Sequence, residues 1–301
     1  MSYFKVLGLE KEPFSTSPDP SLFYLSKEHR AALYRLRISV KLRRGLSLIL
    51  GDVGAGKTTL SRRFIQLLKD EPKVTAHMML NPIFTDEGDF LSEICLRFGL
   101  ATRPGEKTSV YFNELENHLF RKNINEGQTV VLLIDEAQKL NEACLEVLRG
   151  LLNYETNEYK LLQLVLVSQN EIVPRLRGMR NFWDRVSLKH MLAPLDYAEM
   201  RQMIGYRLSR VGYRSPVRIF TEEAMAAIWR TTGGFPRQVT QLCHDCLEHL
   251  VMHNLSYVDQ ALVDRLVARD NDFVSRTQPF RENADGTQTR TEPFNARRAA
   301  V

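Results

Sequence analysis

The feature that most narrows what this chain can fold into is the segment Gly51-Asp52-Val53-Gly54-Ala55-Gly56-Lys57-Thr58-Thr59. It satisfies the pattern G-x-x-x-x-G-K-[ST] at every fixed position. Just before it, Leu46-Ser47-Leu48-Ile49-Leu50 is a short apolar run suited to a buried parallel strand, and Thr59 to Lys69 reads as a helix. Strand, glycine turn and helix in that order gather backbone N–H groups and a positive helix N-terminus at one point. Gly51, Gly54 and Gly56 let the backbone turn tightly and approach a polyphosphate. Lys57 is then placed to reach the β- and γ-phosphates, and the Thr58 hydroxyl to ligate Mg²⁺. The segment from Gly51 to Thr59 reads as the cradle of a nucleoside triphosphate.

Further along, Val130-Val131-Leu132-Leu133-Ile134 is another apolar strand, ending in Asp135-Glu136. At the C-terminal edge of a parallel sheet these carboxylates emerge beside the phosphate loop. Asp135 suits the holding of Mg²⁺ and its waters, and Glu136 the polarisation of an attacking water. A third strand, Leu161 to Val167, ends at Ser168-Gln169-Asn170. There Gln169 is the first choice to touch the γ-phosphate or the water, and Asn170 the second. Arg175 to Lys189 is basic, with Asp184 its only acid, and leads into a strand over Val186 to Leu192. An arginine in that position can reach a neighbouring subunit's nucleotide. Arg185 fits best and Arg180 is the reserve, with a basic surface loop as the alternative reading.

From Pro194 the pattern is helical throughout, with Asp196 and Thr221 as N-caps and Gly233-Gly234-Phe235-Pro236-Arg237 opening a long helix. Arg237 is placed to swing onto bound phosphates. The predicted organisation is an extended lead-in over 1–28 packed on the core, an α/β nucleotide-binding domain over 29–193, a helical lid over 194–269 and a flexible tail over 270–301. The helix from His29 to Arg44 carries Arg30, Arg35, Arg37, Lys41, Arg43 and Arg44. That keeps a polyanion contact open beside the plainer reading of a solvated face. A net charge of +5 permits nucleic acid, acidic protein or anionic membrane as partner and requires none. Cys243-His244-Asp245-Cys246 has C-x-x-C spacing but no second ligand pair, so free thiols on a helix face and a reducing cytosol are expected. With no apolar signal core and no membrane-length apolar run, the expected location is cytoplasmic unless a partner recruits the protein to a membrane.

Taken together, these elements resemble the AAA+ ATPases, P-loop NTPases with a parallel sheet flanked by helices and a small all-α lid. Within them, Phe4 to Leu9, Glu12-Pro13-Phe14, Pro18-Asp19-Pro20, Phe23-Tyr24-Leu25-Ser26 and His29 resemble the N-terminal signature of the ExeA/GspA-type general secretion ATPases. Leu133-Ile134-Asp135-Glu136-Ala137-Gln138-Lys139-Leu140 is similar to that family's Walker B block. Leu161 to Gln169 is similar to its sensor 1 strand, and Gly234-Phe235-Pro236-Arg237 to its G-x-P-R sensor 2. The resemblance implies Mg-dependent ATP hydrolysis in a homo-oligomeric ring, a hexamer, with Arg185 as arginine finger and Arg237 as sensor 2. It also implies that Tyr24, Leu25 and His29 lie near the adenine. Ser168-Gln169-Asn170-Glu171 departs from the family's Gly-Gln-Pro-Glu. Better-known members continue into a membrane span and a periplasmic peptidoglycan-binding domain. Neither is found up to Val301, so peptidoglycan work is not carried over.

Three functions follow as expectations. The first is an ATP-driven assembly factor acting on protein partners of a secretion- or pilus-type envelope complex. The second is a duplex-DNA-binding ATPase of the TniB/TnsC transposition kind, with the basic helix and Arg-rich segment as phosphate contacts. The third is a nucleotide-gated scaffold with little turnover.

Overall fold

The computed structural model describes residues 2–15, 19–215 and 218–277, together with two short antiparallel segments, Arg281–Glu282 and Gln288–Thr289. In chain order the elements are α1 (Tyr3–Val6), α2 (Lys27–Lys41), β1 (Leu46–Gly51), α3 (Lys57–Lys69), β2 (Val74–Met79), α4 (Glu87–Arg97), α5 (Thr108–Phe120), β3 (Thr129–Asp135), α6 (Glu142–Leu151), β4 (Leu162–Ser168), α7 (Ile172–Gly178), α8 (Arg180–Trp183), β5 (Val186–Leu192), α9 (Tyr197–Arg210), α10 (Glu222–Thr232), α11 (Pro236–Met252) and α12 (Gln260–Thr277). They divide into two compact units, Pro18–Leu195 and Met1–Ser17 with Asp196–Val301.

In the α/β unit the apolar runs become a five-stranded parallel sheet of order β2-β3-β4-β1-β5. Every position of β1, β3 and β4 is buried, as central parallel strands covered on both faces require. Period-two alternation sorts their side chains into two cores. Leu48, Leu132 and Leu164 face Phe90, Leu115 and Leu148 of α4, α5 and α6. Ile49, Val131 and Val165 face Leu36 of α2 and Leu60 and Phe64 of α3. Each such side chain contributes about 2 kcal/mol relative to exposure. β5, at one edge, alternates instead, with Ser187, Lys189 and Met191 exposed. Side-chain caps set the helix starts: Ser26 accepts from His29 N–H at 3.2 Å, Asp86 from Asp89 N–H at 2.9 Å and Asn141 from Cys144 N–H at 2.9 Å. The basic segment ahead of β5, for which a surface loop is the alternative reading in sequence, folds into α7 and α8, with Pro174 tolerated in the first turn of α7.

In the helical unit, Asp196 caps α9 by accepting from Glu199 N–H at 2.7 Å, and Thr221 caps α10 by accepting from Ala224 N–H at 3.2 Å. Pro236 opens α11, where the missing N–H costs nothing. Cys243 and Cys246 are free and buried on α11, and burial pushes the Cys246 thiol up to about 12. That leaves both as inert packing groups.

Two boundaries differ from the sequence expectation. The lead-in does not pack as one extended piece over 1–28, because Met1–Ser17 groups with the helical unit. Its anchors are specific: Tyr3 Oη and Glu12 Oε1 lie 3.0 and 2.8 Å from His244 Nδ1, and Glu10 N–H donates to Val211 O at 3.0 Å. Phe14 is fully buried, edge-on to Phe220. The second difference is at the other end, where α12 continues to Thr277 in place of a tail beginning at 270. The rest of the predicted tail lies outside the described residues apart from the two short paired segments.

Candidate active site

Parallel pairing brings three strand ends to one edge. Leu50 lies opposite Ser168, Asp135 opposite Val167, and Gly51 opposite Leu192. The phosphate loop, the Asp135-Glu136 pair and the polar tip Ser168-Gln169-Asn170 therefore leave the sheet side by side, at the kind of edge where α/β sheets bind ligands.

The loop is braced from below by α2. Gly54 and Gly56 have φ of +82° and +90°. A Cβ at Gly56 would lie 2.7 Å from His29 Nε2, so the His29 ring already fills the space a side chain would need. His29 is buried, and its Nε2–H donates to Ala55 O at 3.1 Å. A carbonyl only accepts, so Nε2 carries a proton, and Nδ1 faces the Ser26 hydroxyl at 2.6 Å. The structure thus sets His29 against the loop backbone. Leu25 is half-buried against the core between α2 and α3, its carbonyl taking a bond from Arg30 at 2.6 Å, and Tyr24 is half-buried next to it.

Lys57 is 6% exposed, and its Nζ donates to Gly51 O at 2.9 Å and Asp52 O at 3.0 Å. Burial lowers its pKa, and the nearby carboxylates of Glu136, Asp135 and Asp52 oppose that. Asp135 is fully buried; burial raises its pKa, while the Thr58 side chain and the Glu136 N–H pull the other way. Its Oδ1 accepts from Glu136 N–H at 3.0 Å, and its Oδ2 has no hydrogen-bond partner among the described residues. A buried carboxylate oxygen without a donor is costly unless a ligand or its waters satisfy it. One such oxygen beside one hydroxyl fits Mg²⁺, which keeps several waters and shares phosphate oxygens. Among the described residues no group of three or more His, Cys, Asp or Glu could cage a metal alone.

Glu136 adopts the left-handed conformation, φ +56° and ψ +37°, unusual for a side-chain-bearing residue. Its Oε2 accepts from Gln138 Nε2 at 2.5 Å. Gln138 Oε1 accepts in turn from the Ser168 hydroxyl at 3.1 Å and the Gln169 N–H at 3.2 Å. The Gln138 carbonyl accepts from Arg175 of α7 at 2.7 Å. Sequence reasoning gave Gln138 no role; its only signal was a polar residue two places beyond the acid.

At the β4 tip, Gln169 contributes its backbone N–H, whereas the Asn170 side chain crosses to the loop and donates to Asp52 Oδ1 at 2.9 Å. The Arg185 guanidinium is tied to Arg149 O at 2.9 Å, at the end of α6. The Arg180 side chain is 90% exposed, with Asp184 at 3.9 Å. Arg237 is exposed in the first turn of α11 in the helical unit.

A parallel sheet of this order, with these motifs at its C-terminal edge, is the fold of the AAA+ P-loop NTPases, and residues 40–176 match the family described as AAA domain. The chain is 37% identical over 247 residues to General secretion pathway protein A of Aeromonas hydrophila, a match covering 81% of this chain and 44% of that protein. It thus spans less than half the length of the curated relative it matches. Among solved structures, the Aeropyrum pernix ORC2 protein in its ADPNP-ADP complexes aligns with a TM-score of 0.60 at 17% identity, over 86% of this chain and 71% of that one. Drosophila ORC bound to DNA aligns at 0.66 and 17%, over 92% and 69%. The Thermotoga maritima RuvB Holliday junction branch migration motor aligns at 0.54 and 16%, over 83% and 73%. No helix among the described residues is long and apolar enough to cross a membrane.

Proposed function

We propose that this chain is a Mg²⁺-dependent ATPase that works in a homo-oligomeric ring, from the cytoplasm, on protein partners of a secretion- or pilus-type envelope complex at the inner membrane. The observation that carries the catalytic reading is the unpartnered Oδ2 of Asp135, buried beside Thr58 at the mouth of the phosphate loop. Mg²⁺, when bound, neutralises charge on the phosphate oxygens. Asp135 and Thr58 would hold it and its waters. The backbone from Gly51 to Thr59 binds the phosphates, and Lys57 supplies a buried positive charge close to the acid pair. Glu136 accepts the proton of the attacking water. Asn170, aimed at the loop, is the stronger candidate to sense the γ-phosphate, with Gln169 contributing through its backbone. Of the two finger candidates, exposure favours Arg180 over the tethered Arg185. Arg237 in the helical unit would answer to the bound phosphates.

The envelope process rests on the similarity to General secretion pathway protein A. A duplex-DNA reading has less support. Arg35, Arg37 and Arg43 bond to His190 at 3.1 Å, Glu71 at 2.8 Å and Thr129 at 3.1 Å, which commits much of the basic helix to the protein's own surface. Single-turnover ATP hydrolysis by wild type and Glu136→Gln, with nucleotide affinity measured in parallel, tests the chemistry. A loss of at least ~100-fold with affinity retained is expected. Equal rates would leave the nucleotide-gated scaffold. Steep salt dependence of ATP-driven assembly on duplex DNA would instead favour the DNA reading.

A further inference from the structure

We propose that Gln138 is a positioning residue that ties the orientation of the Glu136 carboxylate to the β4 tip, so that Glu136 is set for catalysis only when the tip and the phosphate loop are in register. This rests on the reading of Glu136 as the group that takes the proton from water.

The direction of the Gln138 amide is fixed by its neighbours. The backbone N–H of Gln169 can only donate, so the amide atom facing it at 3.2 Å is the oxygen. The amide nitrogen then faces Glu136, where a carboxylate oxygen is the acceptor at 2.5 Å. The Ser168 hydroxyl lies 3.1 Å from both the same amide oxygen and the Gln169 carbonyl, its one proton shared between them, and Arg175 holds the Gln138 main chain through its carbonyl at 2.7 Å. The side chain is therefore gripped by β4 and the main chain by α7, with one free function, the N–H directed at Glu136.

That grip matters because the Glu136 backbone leaves the strand in the left-handed region, so no strand neighbour sets its side-chain direction. With Oε2 held by the amide, Oε1 is the oxygen that accepts from water. The connection also runs the other way. Asn170, at the same tip, bonds to Asp52 of the phosphate loop at 2.9 Å. Asp52, Asn170, the Gln169 backbone, Gln138 and Glu136 thus form one continuous path, and a shift of the loop on phosphate binding reaches the catalytic carboxylate through it.

The test compares Gln138→Ala, Gln138→Asn, Gln138→Glu and Glu136→Gln in the full chain, measuring affinity for a fluorescent ATP analogue and single-turnover hydrolysis across pH. Gln138→Ala and the shorter Gln138→Asn should bind within ~3-fold of wild type and hydrolyse at least ~10-fold more slowly. Gln138→Glu sets a second carboxylate against the first, and one proton shared between them restores the bridge. Its rate should therefore rise relative to wild type as pH falls from ~8 to ~6. A packing role would lower affinity and rate together and would not give that pH response. Rates within ~2-fold of wild type for Gln138→Ala and Gln138→Asn, or a Gln138→Glu profile parallel to wild type, overturn the proposal while leaving the Glu136 assignment standing. If Glu136→Gln itself hydrolyses at the wild-type rate, the catalytic reading fails, and this proposal with it.

Discussion

The Asn170 amide donates to the Asp52 carboxylate at 2.9 Å, joining the tip of β4 to the phosphate loop across 118 positions of sequence. The other end of that amide, Oδ1, is buried and has no hydrogen-bond partner among the described residues. A side chain whose NH2 is held at one end and whose carbonyl oxygen is unsatisfied at the other is poised to accept from a bound water. Asn170→Ala should slow single-turnover hydrolysis by ~10–100-fold, in the range of losing one preorganised hydrogen-bonding group at the site. Gln169→Ala, which keeps its backbone N–H, should cost less than ~3-fold. The reverse order would return the sensing role to the Gln169 side chain.

Gly56→Ala should be among the most damaging conservative substitutions in the α/β unit. It places a side chain at φ +90° and sets its Cβ 2.7 Å from His29 Nε2. The backbone strain alone costs about 1–3 kcal/mol. His29→Ala in the same chain removes the collision but not the strain, so the double variant should recover only part of the lost thermal stability, and nucleotide titration should stay impaired. Full recovery would mean that the ring, not the backbone angle, requires glycine.

What could be read from the sequence divides along physical lines. β1, β3 and β4 were visible because central parallel strands are buried on both faces and leave unbroken apolar runs, and the phosphate loop because its geometry demands glycines at fixed spacing. The caps Asp196 and Thr221 were legible from local chemistry alone. Gln138 and the Asn170–Asp52 bond were not, since a polar residue after a strand is ordinary turn composition until the sheet order brings the strand ends together. The docking of the first residues on the helical unit was equally hidden, because Tyr3 meets His244 across 241 positions. The basic stretch of α2 and the turn after it looked available in sequence, but the partners that occupy Arg35, Arg37 and Arg43 lie on distant elements.

Stability and turnover should separate the two finger candidates. Arg185→Ala removes the bond to Arg149 O and should cost about 1 kcal/mol, read as a lower melting temperature. Arg180→Ala removes a side chain that is 90% exposed and should stay within ~0.5 kcal/mol of wild type. In steady-state assays over a protein concentration series, Arg180→Ala should abolish any rise in specific activity with assembly. If that rise survives in Arg180→Ala and vanishes in Arg185→Ala, Arg185 is the finger and its bond to α6 must release.

Asp135→Asn should trade catalysis for stability, with a definite pH signature. Burial raises the Asp135 pKa above its ordinary 3.8, so the folded protein holds that proton more tightly than the unfolded chain does. Above the raised value, the charge sits buried with Oδ2 unpartnered and costs stability. As pH falls through the folded pKa towards 3.8, wild type takes up the proton and recovers what it lost, whereas asparagine has no proton to gain. Near neutral pH, nucleotide-free Asp135→Asn should therefore be the more stable protein by about 1 kcal/mol, or ~2–4 °C in melting temperature. The difference should shrink steadily on acidification, because other titrating groups are common to both proteins. At the same time, Mg²⁺-dependent binding of ATP should weaken by at least ~10-fold. A variant that melts below wild type at neutral pH, or a gap that does not change with pH, would show that the buried carboxylate stabilises the fold and is not held there at a cost for the metal.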